Sequence, residues 1–452
     1  MNGKEAGART PDSVRVDGAA VDRTRGERTP EERAARERAP GELTARGRTP
    51  AERARGERTR LERGRGALGP ALELVHTGRA PTRAVLTSAL GVTRATAGAV
   101  AAELESLGLI RVDARPAAPA GSHGRPSHRL ALDPEGPVVL AAQVHADGYR
   151  AALVGLGGQL VATSPGCAMV GADPADVLGS VVAAGLALLR ETGRRCVGAG
   201  LAVPSAVAEP EGTALNPLHV AWPAGAPVRD IFAAQVRAAG LDVPAFAGND
   251  INLMALAEHR HGAGRGARHL LVVATGHRGV GGALVVDGRP HTGGSGLALE
   301  VGHLVVRPGG HPCYCGSRGC LDVETDPRAF LLALGRTPGD SQLKEAQDLI
   351  TAHGEEPAVR AAVEMLTDRL GLGLAGLVNI LNPDRILLGG LHRTLLTAAP
   401  DRLHAVVADR SLWGRSGSVP VLATALDRGS LVGAAELAWQ PVLDDPLTAL
   451  GG

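Results

Sequence analysis

Aromatic residues are scarce in this chain, which has three Trp, two Tyr and three Phe among 452 residues. The scarcity accompanies an Ala-, Gly- and Arg-heavy composition of the kind a high-GC coding bias produces, so it excludes no function. Cysteines number five, and only Cys167 and Cys196 lie outside one short cluster. That is too few to brace a secreted scaffold, and a chain of this length buries a sizeable core without disulfides. The charged, polar N-terminus has no apolar h-region, and no apolar run reaches the roughly 20 residues that cross a bilayer. These absences predict a reducing, cytoplasmic setting and no membrane partner.

Charge of one sign is also missing overall, since the formal net charge is +1, but the balance is uneven along the chain. Residues 1–66 hold 17 basic and 12 acidic side chains, residues 67–130 hold seven Arg against four acids, and the remainder is acidic. A basic front on an acidic body suits an anionic partner at the front only. Residues 1–66 repeat Arg-Thr-Pro at 9–11, 28–30 and 48–50 and contain almost no large apolar residue, so they cannot build a core. They read as a solvated, mixed-charge extension, or an over-extended start, in preference to a DNA-tethering arm.

Order is expected from about Leu68. A first apolar helix carries Leu72 and Val75 and ends at Gly78. Thr82 caps a second helix, Gly91 turns the chain, and Thr93 caps a third that runs to about Leu107. In the third helix Val100, Leu104 and Leu107 share an inward face, which leaves Arg94, Ala95 and Thr96 on an exposed N-terminal turn. Two short strands, 109–112 and 128–132, then flank a Pro/Ala/Gly loop containing Arg125, as a wing would. Residues 67–135 therefore predict a winged helix-turn-helix that reads operator DNA through Arg94, Ala95, Thr96 and Arg125, with Arg129 nearby. The alternative is a three-helix protein-interaction module.

From residue 136 to 452 strands and helices alternate, as in an α/β body. A predicted strand over 243–247 ends in Gly248-Asn249-Asp250 just before a helix, a usual place for an α/β ligand site. By residue type alone Asp250 could equally be a helix N-cap. The strand pair 270–275 and 283–286 is joined by a glycine-rich hairpin, Gly279-Val-Gly-Gly282. A long helix, 361–381, precedes Asn382-Pro383 and a strand ending at Gly389-Gly390.

The densest chemistry is Glu300-Val-Gly-His303 followed by Cys313, Cys315 and Cys320. One imidazole and three thiols form a complete soft N/S set for tetrahedral zinc, with no position left for water, so a closed structural Zn2+ site is expected. The competing arrangement, a core histidine beside a disulfide, leaves one thiol unpaired.

Asn249-Asp250, the glycine hairpin, Glu300-Val-Gly-His303, the Cys-x-Cys-x4-Cys cluster, Asn382-Pro383 and Gly389-Gly390 together resemble the ROK family of repressors and sugar kinases. The resemblance covers about residues 68–445. It implies a two-lobed, actin-like (ribonuclease H-like) ATPase-fold α/β body behind the winged helix-turn-helix. It further implies that Asn249, Asp250, Glu300 and His303 contact sugar hydroxyls, with His303 binding zinc through its other ring nitrogen. Asp322 joins this sugar-binding set by the same resemblance, but it stands where the family usually has Glu and is shorter by one methylene, so it is expected to reach the ligand through water; Leu299 stands where Gly is usual, which narrows the pocket.

In the kinase branch Asp250 would be the general base. Family kinases open the body with Asp-x-Gly-Gly-Thr, and Gln143-Val-His-Ala-Asp147 stands in its place here. At the second phosphate loop His277-Arg278-Gly279 replaces Gly-Thr-Gly. These departures predict a non-enzymatic transcriptional regulator, a repressor, with a sugar or sugar-phosphate effector and a homodimeric or homotetrameric assembly. The alternative is an ATP-dependent hexose or N-acetylhexosamine kinase with an appended DNA-binding domain.

Overall fold

The computed structural model describes residues 66–452 except 117–126, 169–172, 216, 218–219, 277–278, 340, 413–414, 416–418 and 452, and gives only the backbone of 114–116. The Arg-Thr-Pro repeats, Arg125 and Arg278 thus lie outside the described residues. Among the described residues no single helix is long and apolar enough to cross a membrane.

Three helices open the described chain: α1 (Leu68–His76), α2 (Arg83–Leu90) and α3 (Arg94–Ser106). Both expected caps are present. The Thr82 and Thr93 hydroxyls accept from the amides of Val85 at 3.3 Å and Thr96 at 3.2 Å, and Gly91 closes α2 at φ 63°. Helix α1 stops at His76, two residues before the expected Gly78. There the Thr77 hydroxyl and amide both turn back onto the Glu73 carbonyl. Helix α3 buries Ala97, Val100, Ala101 and Leu104, while Leu107 is only half-buried, so small residues supply part of the face assigned to it. Strands β1 (Ile110–Pro116) and β2 (His128–Leu132) pair antiparallel, Ile110 opposite Leu132. The five elements occur in the order and pairing of a winged helix-turn-helix.

The body contains two sheets built on the same five-strand path, the first with a short sixth strand off that path. In the first, β3 (Val138–His145), β4 (Gly148–Val154) and β5 (Leu160–Thr163) form a meander, with the short β6 (Cys167–Ala168) beside β4. Helix α4 (Pro174–Thr192) leads to β7 (Cys196–Val203), parallel to β3. A small hairpin, β8 (Val207–Ala208) and β9 (Thr213–Ala214), and α5 (Val228–Ala238) precede β10 (Ala245–Asn249), parallel to β7. The order is β10-β7-β3-β4-β5. Strand β7 is buried along Val197–Val203, as expected for a parallel strand covered on both faces.

Helix α6 (Asp250–His261) then crosses to the second sheet, where β11 (His269–Thr275), β12 (Val280–Val286) and β13 (Arg289–Pro290) again form a meander. Four helices follow: α7 (Leu321–Thr325), α8 (Pro327–Ala333), α9 (Gln342–His353) and α10 (Pro357–Leu381). Strand β14 (Arg385–Gly389) comes next, then α11 (Leu391–Ala398), α12 (Pro400–Arg410) and β15 (Val421–Ala423), giving the order β13-β12-β11-β14-β15. Helix α10 begins with Pro357 at its first turn and ends at Asn382 in the left-handed region, with Pro383 blocking continuation. Each sheet thus places its first three strands as an antiparallel meander and adds the fourth and fifth in parallel on the other side. This is the two-lobed, actin-like body that the resemblance implied.

Helix α13 (Gly429–Asp444), followed by α14 (Pro446–Leu450), unites these parts. It packs so closely on α6 that a methyl group on Gly433 would run into the Leu253 carbonyl. Trp439 is fully buried and donates to the Val154 carbonyl at 3.3 Å. One apolar cluster joins Leu68, Leu72 and Val75 of α1, Leu104 of α3, Val139 of β3 and Trp439 and Val442 of α13. The three-helix module therefore shares its core with the body.

Within that junction lies a buried polar knot. Glu436 of α13 has no exposed surface and accepts from His76 Nε2 at 3.0 Å, His261 Nε2 at 2.8 Å and Arg260 Nη1 at 2.6 Å. His76 Nδ1 accepts from the Gly157 amide at 2.9 Å, which fixes the proton on Nε2. His76, His261 and Glu436 are close enough to suggest a metal site. The protonated Nε2 and the Arg260 guanidinium leave no room for a cation there. Burial alone would push the Glu436 carboxyl up, but His76 and His261 hold it well below the usual carboxylate range.

Glu436→Gln should cost about 3–5 kcal/mol near pH 7, because it leaves buried donors facing a neutral amide. The depressed carboxyl contributes stability that is present above its unfolded value and lost as pH falls through the folded one. The deficit in urea unfolding should therefore shrink below about pH 4.5. A deficit independent of pH would mean that the glutamine disturbs packing rather than charge.

Candidate functional site: a two-lobe cleft beside a thiol cluster

The C-terminal ends of β10 and β14 face a cavity of about 850 Å3 lined by residues of both sheets. Asn249, Asp250, Glu300, His303 and Asp322, scattered over 74 positions of sequence, all line it. Topology alone places a site here, at the carboxyl ends of parallel strands.

The helix cap is Asn249, not Asp250. Its side-chain oxygen accepts from the Asn252 amide at 3.0 Å and its Nδ2 donates to the Ser205 carbonyl at 3.0 Å. Asp250, the first residue of α6, is thereby spared capping duty. Burial raises its carboxyl to about 7, the helix-start amides of Asp250 and Ile251 hold it back, and the Glu300 charge adds to the rise. Glu300 is itself raised by burial, with His303 opposing and Asp322 reinforcing that effect. The cleft thus holds two carboxyls, Asp250 and Glu300, that burial raises first and a neighbouring carboxylate charge raises further.

Glu300 precedes a 3-10 turn, Val301–His303, entered through Leu299 at φ 66°. A left-handed leucine costs about 1–2 kcal/mol, so the departure from glycine seen in the sequence is a strained one. Asp322 lines the cavity but is only 2% exposed, and its Oδ1 accepts from the Val280 amide. Its observed contact is with the glycine hairpin, which it buttresses.

His303 Nδ1 and the sulfurs of Cys313, Cys315 and Cys320 lie within 4.8 Å of one another. The His303 Nδ1 to Cys313 Sγ and Cys315 Sγ to Cys320 Sγ separations are each 3.8 Å. Two sulfurs on a tetrahedral zinc with bonds near 2.3 Å stand about 3.8 Å apart, whereas a disulfide needs about 2.05 Å. All three thiols are free. The donor set fits a metal ion, which would fix the orientation of a histidine whose ring also lines the cleft.

Behind the cluster, fully buried Glu324 of α7 bonds Arg369 at 2.8 Å and accepts from the His311 amide at 2.7 Å, tying down the loop that leads into the cysteines. Nothing in the sequence marked Glu324 except its position four residues after Cys320.

Of the residues expected to read DNA, Arg94 and Ala95 are exposed at the start of α3. Thr96 is half-buried with its hydroxyl 2.9 Å from that of Thr93, and Arg129 is exposed on β2. The turn that stands in place of the kinase phosphate loop is a tight hairpin in which His145 pairs with Gly148, leaving Ala146 and Asp147 at the tip. Among the cleft residues that were not anticipated are Arg150 on β4 and Arg428 just before α13. A topological signal existed for Arg428, which precedes the helix after the last strand of its sheet as Asn249 does in the other.

A sequence model described as the ROK family matches residues 147–440, more than half of the chain. The chain is 33% identical over 210 residues to a glucokinase of Halalkalibacterium halodurans, covering 43% of this chain and 61% of that one. It is 30% identical over 215 residues to the DNA-binding transcriptional dual regulator NagC of Escherichia coli K12, covering 45% of this chain and 52% of that one. The chain therefore spans only about half to two thirds of the length of these curated relatives. A crystal structure described as a ROK family transcriptional regulator, homologue of the E. coli MLC protein, superposes with a TM-score of 0.68 at 22% identity. It covers 86% of this chain and 99% of that one, a likeness of fold.

Two outcomes follow from the site geometry. A carboxyl raised from 3.8 to about 7 favours the folded state at low pH, and that stability is lost as pH rises through the folded value. Asp250→Asn should therefore match the native melting temperature near pH 4 and exceed it at pH 8; equal curves at both would refute the raised carboxyl. Elemental analysis should find one zinc per chain in native protein and less than about a tenth of that in Cys315→Ser. A chelator should lower the native melting temperature and leave that of the variant unmoved.

Proposed function

The chain belongs to the ROK family, and on that footing we propose that it is a DNA-binding transcriptional regulator, a repressor, controlled by a sugar-type effector in the cleft. One observation carries this reading: a three-helix, two-strand module, with Arg94 exposed at the start of α3, shares its core with a body whose cleft holds Asn249, Asp250, Glu300 and His303. The relatives of known type do not decide between branches, since a glucokinase and a transcriptional regulator are similar to the chain at 33% and 30% identity. What favours the regulator is the turn at Ala146-Asp147, which offers a phosphate no glycine-lined amides and a carboxylate instead.

In this reading residues 67–135 read DNA, 136–452 sense the effector, and two copies address the half-sites of a pseudo-palindrome, with Arg94, Ala95, Thr96 and Arg125 toward the duplex. Zinc on His303, Cys313, Cys315 and Cys320 is structural and holds the sugar-reading face of His303. Helix α6 carries occupancy of the cleft to the module. It starts at the cleft with Asp250 and ends about 18 Å away with Arg260 and His261 in the knot that also grips His76 of α1. To release an operator, the effector must bind the DNA-incompetent state about 10²- to 10⁴-fold more tightly.

A second reading, a sugar kinase, draws on the Asp250 carboxyl near 7, the range that suits a general base. ATP-dependent phosphorylation of glucose or N-acetylglucosamine, lost in Asp250→Asn, would establish it.

For the regulator, Arg94→Ala should weaken operator binding in gel-shift titrations and lower the salt slope by about one unit while effector binding persists. Asp250→Ala should keep operator affinity and lose effector-induced release. A folded Asp250→Ala protein that no longer binds DNA would defeat this division of labour.

A further inference from the structure

Arg150 and Arg428 face the same cavity from different parts of the body. Arg150 projects from β4 of the first sheet, and Arg428 ends the segment that leaves β15 of the second. Arg150 Nε and Arg428 Nη1 are both buried and have no hydrogen-bond partner. A buried N–H of a charged group normally finds an acceptor, and two such orphans on neighbouring guanidiniums are costly. The arginines also feel each other: burial first, and then the Arg428 charge, push the Arg150 guanidinium down from its ordinary value. Gly166 keeps the space open, because a methyl group there would press on Arg150 Nη2.

Two half-buried like charges in one cavity, each with one buried nitrogen that lacks an acceptor, make a receptor suited to an anion. A tetrahedral or planar oxyanion accepts several charge-assisted bonds from two guanidinium forks and cancels their repulsion. We propose that Arg150 and Arg428 form an anion-binding site in the cleft, and that the effector is a sugar carrying a phosphate or carboxylate group rather than a neutral sugar. This rests on the reading of the cleft as an effector site and narrows its ligand class. Because the arginines come from segments of both sheets, an anion between them ties the lobes together. That gives the charged ligand a differential hold on the closed arrangement that its neutral parent lacks.

The test uses the full chain at low salt, with glucose and N-acetylglucosamine, their 6-phosphates, inorganic phosphate and ATP-Mg as probes, read by calorimetry and thermal shift. At least one 6-phosphate should bind at least about tenfold more tightly than its parent sugar, and inorganic phosphate at millimolar concentration should raise the melting temperature. Arg150→Gln and Arg428→Gln should each abolish both effects and bring the affinity ratio close to one. Each should also raise the melting temperature of unliganded protein by removing a like-charge contact, so a lost response cannot be mistaken for misfolding. Arg150→Lys should keep part of the preference. If a parent sugar binds and its phosphate binds no better, the anion site is overturned while the effector reading stands. If inorganic phosphate or ATP protects the native chain but not the variants and every sugar form fails, the arginines bind an anion, but their assignment to a sugar effector is overturned. If no phosphate-bearing probe acts on the native protein, the anion site itself is overturned.

Discussion

A carboxylate with no exposed surface must find donors inside the protein or destabilise it by several kcal/mol. Glu436 finds them on two other helices, as much as 360 residues away in the chain: His76 at the end of α1, and Arg260 and His261 at the end of α6. Because His76 is oriented in turn by the Gly157 amide after β4, the first lobe is drawn in as well. The relative placement of the three-helix module, the first sheet and the cleft helix therefore depends on the geometry of one carboxylate. Apolar packing around Trp439 brings these pieces together, and the knot selects one register among the ways they could slide.

A comparable division of labour occurs at the thiol cluster. Helix α7 is only five residues long, yet it carries two buried acids with different duties. Asp322 holds the glycine hairpin through the Val280 amide, and Glu324 holds the His311 loop and Arg369. Cys320 caps the same helix, so hairpin, cluster and cleft wall are referenced to a single turn of backbone. In that setting His303 has one nitrogen among the sulfurs while its ring lines the cavity, and Glu300 is delivered by the 3-10 turn that His303 ends.

Much of this was legible in the sequence. The capping threonines, the buried run of β7 and the Asn382-Pro383 stop are local signals, and they placed helices and strands to within a few residues. The thiol spacing is local too. The limits lie where meaning depends on distance. Asp250 is an N-cap by residue type, and only the Asn249 bonds to Asn252 and Ser205 reassign that duty. Glu436 reads as an ordinary helical glutamate, and His76 as the last residue of an apolar helix, until the fold places them 3.0 Å apart. Arg150 and Arg428 are two among many arginines, and no periodicity marks either. Leu299 carried a warning only by contrast with a family glycine, and its positive φ gives that contrast a physical content.

The close seat of α13 on α6 has one more consequence. Each helix follows the last strand of its own sheet, so the pair occupies equivalent places in a doubled plan. Backbone contact at Gly433 leaves no slack for the helices to part or to roll over a side chain. A backbone seat this close is the kind that allows packed helices to shift by shear, a small slide of one along the other, rather than by a hinge that parts them.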